Sequence, residues 1–164
     1  MKILGIDPGF GTLGWAVVDK TPGVVEYGVI ETLPNSAIDE RLLKIHTRIT
    51  EIIKKHKPDC VAIESLFFAK NTKTALDVSK CIGVILLTTR LAGLNYKEYT
   101  PLQIKTALTG YGRASKEQVL QMVVRLYKLK EVPRPDDVAD ALAIAACHSF
   151  SMNVLKIKTG RSHG

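Results

Sequence analysis

The chain reads as one α/β domain in which an antiparallel meander of strands comes first and strands alternating with helices follow. Three observations carry that reading. Short apolar runs over 2–7, 13–19 and 24–32 are separated by glycine and proline, the pattern of a meander. From residue 38 the apolar residues change to helical spacing. Strand-like runs at 59–64 and 95–100 are each followed by a helical pattern, as in a sheet with crossover helices.

Taken in order, the first run ends at Asp7, and the second, rich in valine, ends at Asp19. Thr21-Pro22-Gly23 is turn chemistry, with proline followed by glycine as a type II turn prefers. Leu42, Ile45, Ile49, Ile52 and Ile53 make 38–56 an amphipathic helix, which Pro58 ends. Asp59-Cys-Val-Ala-Ile-Glu64 is nearly all apolar, the kind of strand buried on both faces. Residues 71–91 form a helix, 95–100 a strand and 101–108 a short helix. A loop over 110–114 leads to a helix over 115–129, which Ser115 and Gln118 open as a capping box. After Pro133-Arg-Pro135 comes a last, alanine-rich helix over 136–152. The domain spans 1–152, and 153–164, with Lys156, Lys158 and Arg161, is expected to be a loose basic tail.

At 164 residues and 46% hydrophobic composition the chain suits one domain with a proper core. No segment approaches the run of about 18 apolar residues that a membrane span needs. The start turns polar too soon for a signal peptide, so a cytoplasmic protein is expected. Cys60, Cys81 and Cys147 lie far apart among apolar residues and read as buried free thiols. The formal charge of +7 favours a polyanionic partner such as nucleic acid.

Two motifs overlap in "GIDPGFGTLGWAVVD", residues 5–19. From Gly9 the spelling is G-x-G-x-x-G, but a dinucleotide site needs its third glycine to open a helix. Here Gly14 is followed by Trp-Ala-Val-Val, which prefers a strand, so the context is wrong. Asp7-Pro-Gly9 to Gly14 also fits the first phosphate loop of sugar-kinase or actin-like ATPases, a fold that needs a second, duplicated domain.

The carboxylates fit better. Asp7 ends the first strand and Glu64 ends the buried strand, and functional groups of α/β sheets gather at such ends. Asp137 and Asp140 stand three apart at a helix start and project from one face. Asp136 before them reads as the helix N-cap. Taken singly, each acid is a solvated terminus or ordinary first-turn enrichment. Four convergent acids in a basic chain stay ionised only beside cations. Oxygen-only ligands select Mg²⁺ or Mn²⁺ over zinc. Two such ions, about 4 Å apart, serve phosphodiester cleavage. The residues therefore support a metal-dependent nuclease.

Ile6-Asp7-Pro8-Gly9 with Gly14-Trp15, Ala62-Ile63-Glu64, Phe67 with Ala69-Lys70-Asn71, and Asp137-Val-Ala-Asp140-Ala-Leu-Ala-Ile144 resemble the RuvC family of bacterial Holliday-junction resolvases. The resemblance runs from the first strand to about Ser149. It implies a ribonuclease-H-like fold, a five-stranded mixed sheet with helices on both faces. It also implies a homodimer that makes paired, Mg²⁺-dependent nicks in four-way DNA junctions. Asp7, Glu64, Asp137 and Asp140 would be the metal-binding carboxylates, serving two Mg²⁺ ions, with Mn²⁺ as a substitute. The RuvA–RuvB branch-migration complex is the implied partner.

Further candidates have two readings each. Phe67 is an aromatic for stacking on opened bases, or core with Phe68; Lys70, Asn71 and Lys73 are phosphate contacts, or solvated surface. Arg113, Ser115 and Lys116 in the loop before a helix start offer a phosphate site, with Ser115 also a cap. Lys105 and Lys116 resemble the family's basic positions near the scissile phosphate, where a cation relieves developing charge. Tyr111 stands where the family often has a basic residue. His46, His56 and His148 read as structural or solvated. Ile82-Gly-Val-Ile-Leu-Leu87 is apolar all round, suiting a buried helix or a two-fold interface. A non-catalytic junction-binding module and a ribonuclease H acting on RNA–DNA hybrids are the remaining alternatives.

Overall fold

The computed structural model describes residues 1–19, 23–65 and 72–159. The chain runs β1 (Lys2–Asp7), β2 (Thr12–Asp19), β3 (Gly23–Glu31), α1 (Ile38–His56), β4 (Cys60–Glu64) and α2 (Thr72–Leu91). It continues through β5 (Asn95–Tyr99), α3 (Pro101–Thr109), α4 (Lys116–Tyr127) and α5 (Asp136–Thr159). The strands form one sheet in the order β3-β2-β1-β4-β5. The first three pair antiparallel, and β4 and β5 then add in parallel to β1. This is the expected mixed, ribonuclease-H-like sheet with its meander first. Residues 20–22, most of the predicted turn, lie outside the described residues.

Successive strand residues point to opposite faces, so β1 and β4 feed two cores. Leu4, Ile6, Val61 and Ile63 pack with Ile45 and Ile49 of α1 and with Cys81 and Ile85 of α2. Ile3 and Ala62 point the other way, towards Ile104 of α3, Val123 of α4 and Leu142 and Ala145 of α5. Helices therefore cover both faces. In α1 the buried residues are Ile45, Ile49, Ile52, Ile53 and His56, one stripe as the spacing predicts. Each isoleucine so buried contributes on the order of 1.5–3 kcal/mol, so this face holds α1 in place. The helix stops where Lys57 takes a left-handed φ of 50° and donates its N–H to Ile53 O at 2.8 Å.

α5 lies closest to the sheet, and its alanines explain how. A methyl on Gly5 would strike Ala141 O and Ala145, and one on Gly14 would strike the backbone of Asp137. Bare backbone on β1 and β2 meets small residues on the helix, so apolar area is given up for proximity. α5 departs from the sequence reading at both ends. Asp136 is its first residue, not its N-cap, and binds Arg134 and Lys116 instead of a helix N–H. Its other end passes Met152 and reaches Thr159. Ser115 and Gln118 form the predicted capping box on α4, and Thr100 with Gln103 forms another on α3. Among the described residues no helix is long and apolar enough to cross a membrane.

Candidate active site

Sheet register brings the first two carboxylates together. Ile6 lies opposite Ile63 in the parallel pairing of β1 and β4, so Asp7 and Glu64 end neighbouring strands side by side. Asp7 has the parity of Ile3 and Glu64 that of Ala62, which places both on the α5 face. Across the other edge of β1, Asp7 pairs with Gly14, and Gly14 lies under Asp137. Asp140 follows one turn later on α5. The third glycine of the apparent nucleotide fingerprint is thus a spacer that lets the α5 carboxylates reach the strand ends.

The four acids form one electrostatic unit. Burial pushes the Asp7 carboxyl up to about 8, and the charges of Glu64, Asp140 and Asp137 add to it, opposed by Lys116. Glu64 is raised by burial and by Asp140, while Lys116 and Lys105 pull it down. Asp140 is raised by burial, with Asp136 and Asp137 adding, against the hydrogen bond and charge of Lys116. Lys116 Nζ lies 3.1 Å from Asp140 Oδ2 and 3.4 Å from Asp136 Oδ2. Burial disfavours the Lys116 ammonium, but those two carboxylates outweigh it and raise its pKa. Glu64, Lys105, Lys116 and Asp140 line one cleft of about 240 Å³, floored by Ile104 and Val119.

The donor set fits a hard divalent cation. Every donor is a carboxylate oxygen, and an acid raised to about 8 by burial first and by negative neighbours second ionises more readily once a cation arrives. Among the described residues no three Asp, Glu, His or Cys side chains close into a ready-made cage. Mg²⁺ does not require one, because it keeps several waters and takes one or two carboxylates with substrate phosphates.

The proposed DNA contacts are placed unevenly. Phe67, Lys70 and Asn71 lie outside the described residues, as does the side chain of Lys73. Arg113 is exposed in the loop between α3 and α4. Ser115 Oγ accepts from Gln118 N–H at 3.2 Å, so its hydroxyl caps α4. Tyr111 is 58% exposed beside Gly110, whose φ of 75° makes the turn. Sequence reasoning missed the pairing of Asp136 with Lys116 and Arg134; the charge alternation Arg134-x-Asp136 was its only local signal. Of the two readings of His148 the structural one holds, for its ring nitrogens meet Tyr99 OH at 2.8 Å and Cys60 Sγ at 3.2 Å. His46 likewise meets Thr88 Oγ1, at 2.8 Å. The thiols of Cys60, Cys81 and Cys147 are free.

A family model described as crossover junction endodeoxyribonuclease RuvC matches residues 3–148, which include all four carboxylates. The chain belongs to the RuvC family. RuvC proteins are metal-dependent endonucleases that resolve Holliday junctions. The chain is 51% identical to the RuvC of Halothermothrix orenii over 92% of its own length and 93% of that protein's. It is 48% identical to the RuvC of Caldicellulosiruptor saccharolyticus, again over 92% and 93% of the two chains. Among solved structures, Thermus thermophilus RuvC in complex with a Holliday junction substrate superposes with a TM-score of 0.90 at 38% identity. That match covers 94% of this chain and 96% of the other.

Proposed function

We propose that the chain, as a homodimer, resolves four-way DNA junctions by paired symmetric nicks, with Asp7, Glu64, Asp137 and Asp140 holding two Mg²⁺ ions. The observation that carries this reading is the meeting of two strand-end acids and two helix acids at one end of the sheet, with Lys105 and Lys116 beside them. Bound there, the ions supply the charge that activates a water and stabilises the leaving oxygen, and Mn²⁺ can replace Mg²⁺. Asp7 and Glu64 fix the position of that charge relative to the strands, and Asp137 and Asp140 complete the acidic shell from the helix. Lys116 and Lys105 face the same cleft and relieve charge developing on the phosphate during in-line attack. Arg113 and Lys73, with Phe67, Lys70 and Asn71, are assigned to the DNA, Phe67 by stacking on an opened base.

A four-way junction needs two sites facing opposite strands, which a two-fold dimer supplies. The exposed leucines Leu76, Leu87 and Leu91 on α2 support that helix as the interface. The RuvA–RuvB complex is the partner that family membership suggests, and the cytoplasm the compartment. Residues 153–164 are a basic extension of the 1–152 nuclease domain.

The test is a set of synthetic immobile junctions with varied crossover sequences, incubated with Mg²⁺ or chelator beside duplex and RNA–DNA hybrid controls. Symmetric nicks in junctions alone, only with Mg²⁺, and lost at least about 10³-fold in Asp7→Asn with junction binding intact, are expected. Full cleavage by a folded Asp7→Asn protein would overturn the carboxylate assignment. Preferential cutting of the hybrid would make the enzyme a ribonuclease H.

A further inference from the structure

Lys116 is shared between two carboxylates that have different duties. Its Nζ lies 3.1 Å from Asp140 Oδ2 and 3.4 Å from Asp136 Oδ2. Asp136 and Asp140 are one helical turn apart on α5, and Lys116 opens α4 across from them. In the reading above Asp140 is a metal ligand, so a cation and the ammonium of Lys116 compete for the charge of one carboxylate. Asp136 has no such conflict. Its other oxygen, Oδ1, accepts from Arg134, which fixes the carboxylate and leaves Oδ2 aimed at Lys116. Arg134 is 77% exposed and Asp136 41%, so this pair sits at the rim, outside the acidic centre.

We infer that Asp136 is a positioning residue that draws Lys116 away from Asp140 as the metal enters and then holds the ammonium at the edge of the cleft. Lys116 exchanges one carboxylate for another within the same reach, and no large movement of α4 is required. Without Asp136 the lysine keeps Asp140 as its one ion-pair partner among the described residues, and it competes with the incoming cation. Arg134 acts one step further back, by holding Asp136 in place. The inference rests on the carboxylate reading of the site.

The test is a double-mutant cycle read by the binding of Mg²⁺ itself, measured by calorimetry on the whole protein without DNA. Asp136→Asn is expected to weaken Mg²⁺ binding by roughly five-fold when Lys116 is present. In a Lys116→Met background the same change should have little effect, because the competing ammonium is gone. Through-space loss of one negative charge acts in both backgrounds, so only the excess in the Lys116 protein counts. Equal losses in the two backgrounds, or no loss in either, would overturn the inference. Asp140→Asn separates this from the parent reading: Mg²⁺ uptake that ignores Asp140 overturns both. Uptake that needs Asp140 and shows no coupling overturns only the role of Asp136. Unchanged thermal midpoints in chelator verify that each variant is folded.

Discussion

Gly14 pairs with Asp7 across the β1–β2 hairpin and at the same time lies directly beneath the backbone of Asp137. One residue without a side chain thereby sets the distance between a strand carboxylate and a helix carboxylate. The first turn of α5 sits where it does because nothing projects from β2 at that point. The same arrangement recurs a turn and more along α5, where Gly5 lies beneath Ala141 and Ala145.

Gly14→Ala is accordingly expected to damage the site more than the fold. The added methyl must lift the start of α5, and overpacking of this kind costs about 1–3 kcal/mol, a few degrees in thermal midpoint for a chain of this size. The sharper readout is the rise in midpoint on adding Mg²⁺, which should be clearly smaller in the variant than in the wild type. An undiminished rise would mean that the acids keep their spacing without help from Gly14.

Asp7 gives a prediction with a definite sign. Its carboxyl is raised from 3.8 to about 8 in the fold, by burial first and by Glu64, Asp140 and Asp137 after it. Between those values the folded chain keeps a proton that the unfolded chain releases, so metal-free stability falls as pH rises through that window. Below the unfolded value both states are protonated and the penalty is absent. Asp7→Asn removes the ionisation, and in chelator it should be more stable than wild type by about 2 kcal/mol or more at pH 8. Urea denaturation at pH 8 and pH 4 measures this, and the gap should close at the lower pH. A gap independent of pH would show that the ionisation of Asp7 is not what the substitution relieves.

Local chemistry was the legible part of this sequence. The Ser115–Gln118 capping box and the isoleucine stripe of α1 each depend on neighbours within one or two turns, and each is present. The side-by-side placement of Asp7 and Glu64 was legible too, because parallel strands with crossover helices leave few choices of neighbour. What the sequence hid depends on distant partners. Asp136 looked like a cap because caps are acidic and precede helices, but Lys116, 20 positions earlier, holds it. The strand context of Gly14 already spoke against a nucleotide loop, but nothing local shows that a helix from residue 136 onward will lie on it. Whether His148 was structural or solvated stayed open because its partners are 88 and 49 positions away.

His148 supports the last prediction. Its ring bridges the first residue of β4 to the last of β5 from within α5, meeting Cys60 Sγ at 3.2 Å and Tyr99 OH at 2.8 Å. Burial, and then the charge of Lys97, hold its pKa below the usual 6.5. Above pH 6.5 the imidazole is therefore neutral in the fold, and the stability this contributes is complete there and is lost as pH falls through the lower, folded value. His148→Leu removes the titration and leaves the 5%-exposed Tyr99 without its ring partner. At pH 8 the substitution should cost about 0.5–1.5 kcal/mol, the net worth of one buried hydrogen bond, because Ser151 remains as a partner of the Tyr99 hydroxyl. As pH falls towards 5 the difference should shrink, because the wild type then bears the cost of a histidine that its unfolded chain protonates more readily. His56 is depressed in the same direction, chiefly by burial, but it is present in both proteins and cancels. Denaturant titrations at pH 8, 6.5 and 5 decide the matter, and a difference that stays constant across them would mean that His148 titrates alike in both states.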